Sequence, residues 1–70
     1  MRVILNGKPR ETEAQSLADL LAEFLVSIKA PPDARVATAL NGAFAPKGQR
    51  VSTPLQEGDQ IEIVVPMQGG

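Results

Sequence analysis

The sequence contains no cysteine, histidine, tyrosine or tryptophan. Without cysteine, neither a disulfide bond nor a thiolate metal site can stabilise the chain. Without histidine, the chain lacks the commonest general base and the commonest zinc ligand. The carboxylates, lysines and hydroxyls that remain form no compact catalytic motif. We therefore expect no metal site, no cofactor bound by this chain and no self-contained enzyme.

Aromatic residues and charge of one sign are also scarce. Phe24 and Phe44 are the only aromatic residues, and seven Lys+Arg against eight Asp+Glu leave a net charge of −1. Nucleic-acid binding usually needs a clustered positive face, and the sequence has no basic stripe. No apolar run approaches the length of a membrane span, and the N-terminus carries no export signal. These features predict one cytoplasmic domain that binds neither nucleic acid nor membrane.

One helix is predicted by apolar residues at helical spacing. Ser16 is the expected N-cap, with Asp19 three residues later as in a capping box. Pro31-Pro32 is expected to end the helix, because proline lacks the N–H donor and restricts the residue before it. The apolar stripe predicted to face the core consists of Leu17, Leu20, Leu21, Phe24, Leu25 and Ile28.

Strands are predicted on both sides of this helix. Asn6-Gly7 and Asn41-Gly42 are strong hairpin-turn signals. Residues 46–54 are expected to form a loop from which Leu55 reaches the core, followed by a turn at residues 56–59. The expected strands cover residues 1–6, 10–13, 35–40, 43–45 and 60–65, and residues 10–13 are polar enough for an edge strand.

The last strand has alternating apolar residues. Its predicted inner side chains are Ile61, Ile63 and Val65, and its predicted solvent-facing side chains are Gln60, Glu62 and Val64. The first and last strands carry the strongest apolar faces, so we expect them to pair in the middle of the sheet. The predicted fold of residues 1–65 is α+β: a ubiquitin-like β-grasp domain with a mixed sheet packed on one main helix.

The chain ends in Gly69-Gly70 after a short tail. A terminal glycine presents its carboxylate without a crowding side chain, and its backbone freedom suits a narrow partner site. Pro66 cannot donate to a sheet ladder, so it marks the point where the strand should release the tail. Residues 66–70 are therefore predicted to be flexible. The opposing interpretation is that small residues simply collect at chain ends.

Several segments, taken in order, resemble the ThiS family of sulfur carrier proteins. The opening Met1-Arg2-Val3-Ile4-Leu5-Asn6-Gly7 is similar to the family's first strand and turn. Residues 16–21 resemble the start of its helix. Residues 39–42, followed by Pro46-Lys47, resemble its "V-N-G … V-P-R" pattern. Residues 55–64 resemble its "L-x-E-G-D-x-I-E-I" block, and residues 66–70 resemble one of its common tails. Lys47 replaces the usual arginine, and no aromatic residue follows it shortly afterwards.

The resemblance implies a role in thiamine thiazole synthesis. A separate E1-like adenylating enzyme, using ATP and Mg²⁺, would activate the Gly70 carboxylate, which would become a thiocarboxylate. The sulfur would come from a donor such as a cysteine desulfurase relay and would pass to the thiazole synthase. Partners would recognise the tail through Pro66, Met67, Gln68 and Gly69, and the expected interface also includes three strand residues: Val64, Glu62 and Phe44.

Three alternatives remain open at this stage. The chain could serve as a β-grasp sulfur carrier for molybdopterin or another pathway. It could be a ubiquitin-like modifier whose Gly70 is joined to a lysine. It could also be an interaction module that binds through its sheet without any chemistry at the tail.

Overall fold

The fold was determined as a computed structural model that describes residues 1–66, and residues 67–70 lie outside the described part. Within it, strands alternate with one α-helix and one 3₁₀ helix. The elements in chain order are β1 (Arg2–Leu5), β2 (Lys8–Glu11), α1 (Leu17–Ser27), β3 (Ala37–Leu40), β4 (Ala43–Ala45), the 3₁₀ helix (Lys47–Ser52) and β5 (Gln60–Val64).

The strands form a mixed sheet in the order β2-β1-β5-β3-β4. β5 lies in the middle, parallel to β1 and antiparallel to β3. The two hairpins, β1–β2 and β3–β4, form the flanks. The predicted central pairing of the first and last strands is therefore confirmed, as is the edge position of the polar second strand.

The core lies between one face of this sheet and α1. From the helix it receives the buried leucines Leu17, Leu20, Leu21 and Leu25. The strands contribute Val3, Leu5, Ile61 and Ile63, and Leu55 enters from the segment before β5. The predicted role of Leu55 is confirmed, and so are the inward positions of Ile61 and Ile63.

Both ends of α1 are determined by local hydrogen bonds. At the start, the Ser16 hydroxyl accepts a hydrogen bond from the Asp19 N–H at 3.1 Å, as the sequence predicted. At the end, Lys29 adopts a positive φ of 59°. Its N–H bonds to Val26 O and the Ala30 N–H bonds to Leu25 O, which together form a Schellman motif.

Some predicted boundaries were wrong for physical reasons. The Schellman motif ends α1 at Ser27, before Pro31-Pro32, so Ile28 is an exposed C-cap residue and not part of the core. Phe24 is only partly buried. The second strand begins at Lys8 because the two-residue turn at Asn6-Gly7 pairs Leu5 directly with Lys8.

The C-terminal boundaries also differ from the prediction. The third strand begins at Ala37, where β3 pairs with Val64 of β5. The pairing of β5 with β3 ends at this Ala37–Val64 pair. Pro66, two residues later, has no N–H that could extend it. Val65 therefore lies beyond the strand with 37% of its surface exposed, whereas the sequence predicted that it would face the helix.

Residues 46–54, predicted as a loop, contain the 3₁₀ helix. Arg50 anchors it to β3, donating from Nε to Thr38 Oγ1 at 3.0 Å and from Nη2 to the Val36 carbonyl at 2.9 Å. The Thr38 hydroxyl in turn donates to the Ala45 carbonyl. Arg50 is thus a buried, hydrogen-bonded residue, a role that no sequence pattern predicted.

Asn6 has a second role beyond its turn. Its side-chain amide accepts a hydrogen bond from the Ile63 N–H at 2.9 Å and donates to the Ile63 carbonyl at 3.2 Å. The Asn6 side-chain amide therefore pairs with the backbone of β5 as a neighbouring strand would, just beyond the end of β1. This contact holds the second half of β5 in the sheet, immediately before the tail.

We expect Asn6→Gly to destabilise the domain by about 1–3 kcal/mol, because it leaves the Ile63 N–H and carbonyl without their partners. Glycine keeps the positive φ of 51° that Asn6 adopts. Asn41→Gly is the matched control, since Asn41 has the same φ of 51° in an equivalent Asn-Gly turn but its side chain makes only exposed hydrogen bonds. Urea denaturation measures both losses, and equal losses would contradict the role assigned to Asn6.

Candidate functional site

The candidate site is the end of β5 together with the sheet face that points away from α1. Side chains of residues paired directly across neighbouring strands point to the same face of a sheet. The pairing register therefore identifies the residues of this outer face. Ala39 pairs with both Phe44 and Glu62, and Ala37 pairs with Val64. These residues are not used by the core, so the face is available for a partner.

Phe44 and Val64 are the most exposed large apolar side chains of this face, which also carries the partly buried Ile4 of β1. Phe44 is 70% exposed and Val64 is 59% exposed. Glu62 is also exposed, next to Ala39 in the register. The structure therefore brings the three predicted interface residues onto one face. Ala37 and Ala39 lie among these residues, and their small side chains would allow a partner to approach the backbone of the sheet.

The start of β5 is anchored by the segment 57–59. The Glu57 carboxylate accepts a hydrogen bond from the Arg2 N–H at 3.1 Å, and Gly58 has a φ of 86°. Asp59 accepts bonds from the Gln56 N–H at 2.8 Å and from the Asn41 side chain at 3.1 Å. The Glu-Gly-Asp sequence is thus explained by the turn that aligns β5.

Pro66 is exposed and lies two residues beyond the last residue of β5. The other tail residues predicted to contact partners, Met67, Gln68 and Gly69, and the predicted reacting group of Gly70 lie outside the described residues. The structure thus places the last strand and its exit, and the predictions for residues 67–70 remain predictions.

Neither a metal centre nor a membrane span occurs in the described part of the chain. Residues 1–66 hold no group of three or more His, Cys, Asp or Glu side chains that could bind a metal ion. α1, with 11 residues, is too short to cross a bilayer, which needs about 20 residues.

Similarity to solved structures identifies the class of protein. The crystal structure of the thiamine biosynthesis protein ThiS from Geobacter metallireducens matches the whole chain over its own whole length, with a TM-score of 0.68 and 31% identity. An NMR solution structure of a thiamine biosynthesis protein from the same organism matches the whole chain over 88% of its length, with a TM-score of 0.69 and 31% identity. The fold is that of a ubiquitin-like β-grasp protein.

Sequence comparison identifies the family. The model of the ThiS family matches residues 3–70. The "Sulfur carrier protein ThiS" of Thermus thermophilus is 38% identical over 68 residues, which cover 97% of this chain and 98% of that protein. The chain belongs to the ThiS family, so the resemblance seen in the sequence is confirmed.

Proposed function

We propose that this protein is a sulfur carrier for thiamine thiazole synthesis and that the Gly70 carboxylate carries the sulfur. The observation that supports this most strongly is the match to the ThiS family, which extends over residues 3–70 and so includes Gly69-Gly70. The relative from Thermus thermophilus, whose name states the carrier role, aligns over 97% of this chain.

The proposed chemistry explains why a carrier needs a partner enzyme. A free carboxylate is a poor electrophile, because its charge repels nucleophiles and it has no good leaving group. An E1-like adenylating enzyme, holding ATP and Mg²⁺, would join a carboxylate oxygen of Gly70 to the α-phosphorus as pyrophosphate leaves. The terminal sulfur of a donor persulfide, such as one supplied by a cysteine desulfurase relay, would then displace AMP to form an acyl disulfide. A second thiol would cleave that S–S bond, leaving the thiocarboxylate on Gly70 and a disulfide on the donor.

In this proposal the chain is a co-substrate and not a catalyst. The thiocarboxylate sulfur is a nucleophile on a protein-sized handle, and the thiazole synthase would accept it. The described residues contribute docking: the outer sheet face would bind the partner body, and β5 would direct residues 66–70 towards the reaction centre. We place these steps in the cytoplasm, where ATP is available.

The test is to weigh the intact protein after incubation with the adenylating enzyme, ATP, Mg²⁺ and a sulfur donor. The proposal predicts a mass gain equal to the difference between one sulfur and one oxygen atom, only when ATP is present. Conjugates to other proteins would instead identify a modifier, and an unchanged mass would identify an interaction module. Transfer of the sulfur to a molybdopterin precursor, and not to thiazole, would identify a carrier of another pathway.

We expect Val64→Asp to weaken the docking of the adenylating enzyme, because it places a charge in the exposed apolar patch of the outer face. Burying a valine side chain contributes about 1.5–3 kcal/mol, so KM for the carrier should rise about tenfold or more. The melting temperature should change little because Val64 is mostly exposed.

The control is Ile28→Asp, which places the same charge at an apolar residue that is 43% exposed. Ile28 is the C-cap residue of α1, on the other side of the sheet from Val64. The control should therefore keep the parent KM in the ATP–pyrophosphate exchange assay. An unchanged KM for Val64→Asp would exclude the outer face as the docking surface.

A further inference from the structure

α1 carries apolar residues that are not buried in the core. Only Asp19, Glu23 and Ser27 are polar among its residues, and they form one narrow stripe at a spacing of four. The core uses the leucine face described above. A second apolar stripe, Ala18, Ala22 and Val26, also at a spacing of four, lies outside the core. A surface helix normally carries polar residues at such positions.

This second stripe forms one wall of an open groove, and the 3₁₀ helix forms the other. The groove has a volume of about 390 Å³. Val26 and Val51 line it and are 77% and 75% exposed. Its lining residues are Ala18, Leu21, Ala22, Leu25, Val26, Ala30, Pro32, Lys47, Arg50 and Val51. Single exposed apolar residues are ordinary, but a contiguous concave set is typical of a binding groove.

The charges that line the groove are both positive. They are Lys47 and Arg50, and no acidic residue of the described chain lines it. The two ion pairs of residues 1–66 are Arg2–Glu11 and Arg10–Glu23, so neither groove cation is neutralised by a carboxylate within that part. Arg50 is buried, with its guanidinium held at Nε and Nη2 by Thr38 and Val36, so Lys47 is the exposed cation of the groove.

We propose that this groove docks an acidic amphipathic helix of a partner protein. Apolar side chains of that helix would fill the space between α1 and the 3₁₀ helix, and its carboxylates would lie over Lys47. The alanines at positions 18 and 22 allow the two helices to approach closely. This is the helix-in-groove mode of recognition, with charge complementarity determining which helix binds.

The groove fits a protein segment better than a lipid surface. An interfacial helix inserts a convex apolar face and carries many Lys or Arg residues on its polar side. Here the apolar surface is concave, the polar stripe of α1 is acidic, and the net charge of the chain is −1. The groove also lies on the helix side of the sheet, away from Phe44 and Val64, so its occupation leaves the outer face free.

This proposal stands apart from sulfur transfer, because its test uses neither the tail nor ATP. The probe is a capped helical peptide with leucines at i, i+4 and i+8 and glutamates beside them, titrated into the isotope-labelled protein up to about 1 mM. A second peptide replaces each glutamate with lysine. Amide chemical shifts locate the site, and we expect the acidic peptide to shift residues 18–26 and 47–51 and to bind more tightly than its lysine counterpart.

Variants assign the contact to individual side chains. Val51→Asp should weaken the acidic peptide about tenfold or more, because a buried valine contact becomes a repelling charge. Lys47→Glu should reduce or reverse the preference for the acidic peptide. Lys8→Glu and Val64→Asp, which make the same changes at exposed residues away from the groove, should bind like the parent.

Several results would overturn the proposal. The acidic peptide could fail to bind up to the highest concentration, it could bind no better than the lysine peptide, or it could shift the outer sheet face instead. Groove amides could also shift with vesicles of anionic lipid while the peptide has no effect, which would identify a lipid-binding surface. Concentration-dependent shifts of the groove without any peptide would identify a second copy of the chain as its occupant.

Discussion

A single residue added after Gly70 is expected to abolish activation while the fold stays intact. One added residue moves the terminal carboxylate by about 3.3–3.6 Å. In the proposed adenylation, the carboxylate oxygen has to approach the α-phosphorus of ATP to within about 3–3.5 Å, and a misplacement of about 1 Å can cost about a hundredfold in rate. In the proposed complex, docking of the sheet body determines the reach of the tail, so the added alanine should reduce ATP–pyrophosphate exchange at least about a hundredfold.

Two further variants separate reach from crowding. An added glycine moves the carboxylate by the same distance without a side chain, so it should also fail. Deleting Gln68 from that glycine-extended chain restores the number of residues after β5, and exchange should partly recover. Each variant should melt like the parent, because no core residue changes. Exchange of the alanine-extended chain at the parent rate would mean that the terminal carboxylate is not the reacting group.

Leu20→Asp is expected to unfold the domain. Leu20 is fully buried between α1 and the sheet. An unpaired carboxylate at this position costs several kcal/mol, which is comparable to the total stability of about 5–15 kcal/mol that small domains have. The circular-dichroism melt should lose its cooperative transition at neutral pH.

Ala22→Asp is the matched control for Leu20→Asp. Ala22 lies two residues later in the same helix, and its side chain is exposed. The same aspartate should therefore cost less than about 1 kcal/mol, mainly through lower helix propensity. A cooperative melt of Leu20→Asp near the parent midpoint would contradict the packing described for α1.

The sequence was sufficient for the parts of the fold that depend on local patterns. Apolar spacing predicted the leucines of α1, alternation predicted the inner and outer residues of β5 up to Val64, and the Asn-Gly pairs predicted both hairpins. Each of these signals acts between residues that are close in the chain. The central pairing of β1 with β5 followed because the two strands with the strongest apolar faces were expected to share the middle of the sheet, whereas the neighbourhood of β5 and β3 was not predicted.

Other features depend on contacts between distant segments. The 3₁₀ helix is anchored by Arg50 on Val36 and Thr38, and an arginine in a polar segment gives no sign of this burial. The Asn6 amide bonds to Ile63, 57 residues away. The end of α1 requires a positive φ at Lys29, a conformation that the sequence signals poorly for a residue other than glycine.

The residues of the candidate site also divide into those that sequence patterns predicted and those that only the packing of the fold reveals. The chemistry of the tail was predicted from the diglycine and the family resemblance. The outer-face positions of Glu62 and Val64 followed from strand alternation. The groove beside α1 was missed because Ala18, Ala22 and Val26 belong to the same apolar helix as the core, and only packing reveals which apolar residues are left uncovered.

The most direct test of the proposed sulfur-carrier function is to trace one sulfur atom from the carrier into the thiazole. The carrier would be loaded with a heavy sulfur isotope by the adenylating enzyme, purified, and given to the thiazole synthase with its small-molecule substrates. If the protein is the sulfur carrier, the isotope appears in the thiazole ring and the carrier returns to the mass of its free carboxylate. A thiazole product without the isotope, formed while the carrier keeps its label, would contradict this role.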